Sequence, residues 1–138
     1  MVNWKTKKIP RVCRSVKGAE TRALEDAVDD AINIARLVRE VYDGEVVLKD
    51  PKQIPVIAMT DSKSLWESVH NTRQCDEKLL RNSIAGIKEL MDLKMIKSID
   101  WVETKMQLAD CLTKQGKGAD WLLKVSATNK IIENYISY

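Results

Sequence analysis

Residues 54–66 read IPVIAMTDSKSLW, a short and nearly continuous apolar run that breaks off at Asp61. Such a run reads as a strand buried on both sides rather than on one. TDSKSLW then reads as the start of a helix, with Asp61 at the hand-over. In open α/β sheets the carboxyl ends of strands are where ligands bind. An aspartate is equally at home as a helix N-cap, so on local grounds Asp61 supports either role.

Upstream, the loop DPKQIP with its two prolines separates this strand from a long helix predicted over 18–42. Leu24, Ala27, Val28, Ala31, Ala35 and Val38 recur there at three- and four-residue steps, while Arg22, Glu25, Asp26, Asp29, Asn33, Arg36 and Glu40 occupy the other side. The helix is roughly 35 Å long at 1.5 Å per residue, and Gly44 is its stop signal. Val2 to Thr6 reads as a short strand before it. Downstream, the polar connection HNTRQCDE leads to a second amphipathic helix over 76–95, with Leu79, Leu80, Ile84, Ile87 and Leu90 on its apolar side. SIDWVET reads as another strand, QLADCLTK as a short helix and WLLKVSATNKII as a last one. Strands alternating with long helices imply an α/β layer structure with a parallel component.

Bulk properties agree with one domain. The 138 residues are 44% hydrophobic and 31% charged, which excludes wholesale disorder, and with 5% aromatics and no Phe the core must be aliphatic. No apolar run reaches the roughly 20 residues that span a bilayer. No signal-peptide pattern opens the sequence, and Cys13, Cys75 and Cys111 form no CxxC pair. A reduced intracellular compartment, cytoplasm or nucleus, is the expectation. The net charge of +3 is unevenly spread: Lys5, Lys7, Lys8, Arg11, Arg14 and Lys17 precede the first acid. That stretch suits a phosphate backbone, or else a solvated exposed segment.

Three carboxylates stand out by position. Glu20 lies four residues before Leu24 and so shares the sheet-facing side of the first helix, where an acid needs a metal, an arginine or exposure at the helix end. As an ordinary first-turn acid it would instead answer the helix dipole. Asp61 ends a strand, and Asp110 in QLADCLTK follows SIDWVET closely enough to point over the same sheet edge. Together they make a set of hard oxygen ligands for Mg²⁺ or Mn²⁺, suited to phosphodiester hydrolysis with two metals near 4 Å apart. Asp26, Asp29 and Asp30 read as a solvated face, and His70 as a loop residue.

The blocks WKTKKIPRVCRSVKGAETRALEDA, VIAMTDSKSL, DEKLLRNSIAGIKEL and IDWVETKMQLADCLTK, in this order from Trp4 to Lys114, resemble the ribonuclease H domain of copia-type LTR retrotransposon polyproteins. The T/C-D-N/S and Q-x-A-D-x-L-T-K patterns of that family fall on Thr60 to Ser62 and Gln107 to Lys114. The resemblance implies a ribonuclease H-like three-layer α/β fold with a mixed sheet, formed as one partial domain over 1–138. It implies metal-dependent endonucleolytic hydrolysis of RNA in RNA–DNA hybrids, with Glu20, Asp61 and Asp110 holding Mg²⁺ and Mn²⁺ able to substitute. Lys5, Lys7, Lys8, Arg11, Arg14, Lys78 and Arg81 would contact the hybrid, and the reverse transcriptase portion of the same polyprotein would be a partner.

The family's fourth carboxylate lies on a first strand upstream of the Trp4 block, so the first two strands and one ligand are expected to be missing here. The expected consequences are an exposed sheet edge prone to self-association, a stranded Val2–Thr6 segment and a loosely held metal. A non-catalytic module that binds nucleic acid or protein is the alternative reading.

Overall fold

The computed structural model describes residues 13–44, 54–72, 75, 77–109 and 119–128. The strand expected over Val2–Thr6 and the basic residues Lys5, Lys7, Lys8 and Arg11 lie outside them, as do Asp110 and most of QLADCLTK.

Helix α1 (Val16–Asp43) begins two residues earlier than its periodicity suggests, because Ser15 is its N-cap. The Ser15 hydroxyl accepts from the Gly18 N–H at 3.0 Å and donates to Glu77 Oε2 at 2.9 Å, tying the start of α1 to the segment just ahead of the 78–80 turn. At the other end Gly44 takes the left-handed conformation (φ 70°), and its N–H closes on Glu40 C=O. Leu24, Val28, Ile32 and Ala35 form the buried stripe. Ile32 belongs to it although the periodic reading passed over it, and Ala27 does not.

Strand β1 (Ile57–Thr60) leads into α2 (Lys63–His70). A 3-10 turn (Lys78–Leu80) precedes α3 (Arg81–Asp92), and β2 (Ser98–Trp101) follows. A second 3-10 turn (Thr104–Met106) and α4 (Ala119–Thr128) complete the order. The helix expected over 76–95 is therefore shorter and opens with a tighter turn. Leu79 falls in that turn and points outward at 72% exposure, while Leu80, Ile84 and Ile87 are buried. His70, expected in a loop, ends α2, with its ring against Trp66 and Nδ1 3.0 Å from the Trp66 carbonyl oxygen.

Helix α3 ends in a left-handed turn without glycine. Lys94 has φ 57°, its N–H reaches Met91 C=O, and the Met95 N–H reaches back to Leu90 C=O. Leu90 and Met95 both pack against the core, which completes a Schellman-type stop.

The two strands pair in parallel, Ile57 opposite Ser98 through Thr60 opposite Trp101. This is the parallel component expected, reached by a crossover through α2 and α3. Ile54, Val56 and Ala58 join one core with Ile99, Leu65, Val69, Ile84, Ile87 and the buried stripe of α1. The alternate positions differ: Pro55 is exposed and Ile57 is 40% exposed. Met59, on the same side as Ile57, is half-buried, so the two faces of the strand differ in degree of burial. Period-2 alternation was concealed because the outward positions also carry apolar side chains. Among the described residues, α1 and α2 pack on the sheet and α3 packs on both of those helices. Beyond β2, no strand among the described residues pairs with β1. No helix among them is long and apolar enough to cross a membrane.

Candidate functional site

The carboxyl ends of β1 and β2 lie side by side, and Asp61 is the first residue beyond β1. It is not a helix cap: Ser62 is the N-cap residue of α2, so Asp61 stands one position outside the helix. Its backbone is closely held. The Thr60 carbonyl accepts from the Val102 N–H at 3.0 Å, and the Ser62 N–H donates to Thr60 Oγ1 at 3.2 Å. The indole N–H of Trp101 donates to the Asp61 carbonyl at 3.2 Å. Thr60 itself is buried and Asp61 half-buried.

Glu20 occupies the second turn of α1, not the first, so the helix-dipole explanation fails for it. It is half-buried, one turn before Leu24, on a helix that packs against β1. Burial raises its carboxyl above the ordinary glutamate range, and the negative charge of Asp61 raises it further. The fold therefore sets Glu20 near enough to Asp61 to feel its charge, although the two lie 41 positions apart in the chain (61 less 20). Two half-buried like charges at a strand end form an electrostatically unfavourable pair unless a cation or a shared proton intervenes. All-oxygen donors of this kind fit a hard divalent cation. The third predicted ligand, Asp110, lies outside the described residues, among which no three His, Cys, Asp or Glu side chains gather as a metal site.

Of the basic residues singled out by sequence, Arg14, Lys78 and Arg81 are described, and all three are exposed. Arg14 and Lys78 flank the Ser15–Glu77 hydrogen bond in sequence, which brings two cationic segments together at the start of α1. Arg81 has a structural duty as well, donating from Nε to the Cys75 carbonyl at 2.9 Å. A groove of about 430 Å³ between α1 and α3 is lined by Glu25, Asp26, Asp29 and Glu89 against Arg22, the wrong sign for a phosphate backbone.

Sequence reasoning overlooked Trp101 and the Ser15 cap. Serine three residues before the Gly18 amide, at the head of a periodic run, was a readable capping signal. Trp101 could be found only once the parallel register put it opposite Thr60. Comparison with known proteins finds no matching family model, no matching curated protein and no matching solved structure.

Proposed function

We propose that this chain carries a retroelement-type ribonuclease H-like domain, with a three-layer mixed-sheet fold, whose activity is metal-dependent endonucleolytic hydrolysis of RNA in RNA–DNA hybrids. The observation that carries this reading is Asp61 at the carboxyl end of a parallel strand, with Glu20 on the helix packed against that strand; burial, and then the charge of Asp61, raises the Glu20 carboxyl. Glu20, Asp61 and Asp110 are the ligand set. Bound Mg²⁺ supplies an activated water and offsets the charge that develops on the phosphate. In the chain itself, Glu20 and Asp61 provide the anionic oxygens and the half-buried setting that strengthens their hold on a cation. Arg14, Lys78 and Arg81, with Lys5, Lys7, Lys8 and Arg11, hold the backbone of the hybrid without reading its bases. Self-association would run through the β1 edge away from β2, with which no strand among the described residues pairs.

The test is cleavage of an end-labelled RNA–DNA hybrid in Mg²⁺ and in Mn²⁺, with Asp61→Asn beside the wild type. Cleavage that disappears in the variant supports the enzyme reading. Hybrid binding without cleavage supports the non-catalytic module in its place.

A further inference from the structure

Trp101 is a large aromatic residue with 40% of its surface in solvent, so core packing alone does not account for it. Its indole N–H instead reaches across the sheet to the main-chain carbonyl of Asp61. We propose that Trp101 is the positioning residue for the Asp61 carboxylate, acting through the Asp61–Ser62 peptide plane.

The direction of a Cα–Cβ bond is set by the two peptide planes that flank it. The Thr60–Asp61 plane is fixed by the sheet, where the Thr60 carbonyl accepts from Val102 N–H. The Asp61–Ser62 plane lies beyond the ladder, at the turn into α2, and is held at both ends by side chains. Thr60 Oγ1 takes its N–H and the Trp101 indole takes its carbonyl. With both planes pinned, the Asp61 carboxyl starts from a fixed point. Removing the indole N–H leaves the second plane held by one bond of 3.2 Å. Phenylalanine retains the ring at position 101 and removes only that donor.

Trp66 provides a matched control. Its indole N–H also donates to a main-chain carbonyl, that of Ile99 at 3.1 Å, within β2 and not at the carboxylate pair. Amide hydrogen exchange on the full chain without metal, in wild type, Trp101→Phe and Trp66→Phe, separates positioning from general stability. Trp101→Phe is expected to speed exchange at Ser62 about threefold, as for one lost hydrogen bond, with the amides of α3 unchanged. Trp66→Phe leaves Ser62 unaffected. Unchanged exchange at Ser62 in Trp101→Phe, or an equal change in both variants, overturns the assignment. Mn²⁺ titration followed by the resonance of the free ion is the second measurement, and it alone rests on the metal reading. There Trp101→Phe weakens half-saturation about threefold and Trp66→Phe does not. Unequal Mn²⁺ affinities in this sense support positioning, and equal affinities count against it. A wild type that binds no Mn²⁺, combined with faster Ser62 exchange in Trp101→Phe, removes the metal reading and leaves the positioning role standing.

Discussion

Glu20 keeps its proton to a higher pH than an ordinary glutamate, because burial and then the nearby Asp61 disfavour its anion. In the unfolded chain neither effect operates. Between the ordinary glutamate value and the raised folded value the native state therefore binds more protons than the unfolded state. Stability falls as pH rises through that window and stays lower above it. Glu20→Gln has no titrating proton to lose. Its melting temperature should exceed that of the wild type near neutral pH and converge with it below the ordinary glutamate range. Thermal unfolding at the two pH values checks this, and a variant less stable at neutral pH would show that the glutamate anion is already compensated. Added Mg²⁺ should raise the wild-type melting temperature more than that of Glu20→Gln, as binding to the native state requires. Both residues of the pair were legible in the sequence as positions, one on a sheet-facing stripe and one at a strand end. Their convergence was an expectation of the sequence, whereas the lie of α1 across β1 was not legible there.

The elements were read with uneven success, for reasons visible in their ends. Long α1 announced itself through periodicity and Gly44, but its true start was set by Ser15, whose hydroxyl serves both the Gly18 amide and Glu77. Ser15→Ala should cost about 1–2 kcal/mol in denaturant unfolding, the loss of a cap plus a bond to a carboxylate. The predicted 76–95 helix broke at both ends, where a 3-10 turn and a left-handed stop compete with α-helical continuation. Lys94 at φ 57° accepts a conformation that costs an L-residue about 1 kcal/mol relative to glycine, so Lys94→Gly should stabilise by about that amount. A destabilised Lys94→Gly would mean that the lysine side chain repays the strain. The strand at 57–60 was recognisable, but the lesser burial of its outer face was masked by the apolar residues there.

For the molecule as a whole, cohesion rests on one core to which α1, α2, α3 and the sheet all contribute, with Ile99 fully buried within it. Sequence composition made an aliphatic core predictable. Which residues close it depended on the parallel register that sets Ala58 beside Ile99 and turns Ile57 outward. Every helix that meets Ile99's cluster loses packing when that side chain is cut back, so the effect should be global. Ile99→Ala is expected to cost about 3 kcal/mol and to lower the melting temperature by about 10 °C. Helical and tertiary signals should fall together, as in a two-state transition. Leu123 on α4 offers the contrast, being apolar and helical but 65% exposed. Leu123→Ala should change stability by less than about 0.5 kcal/mol. Comparable losses in the two variants would place α4 within the cooperative unit. A large loss confined to Ile99→Ala would mean that the α1–β1 packing, and with it the Glu20–Asp61 pair, stands or falls with this single core.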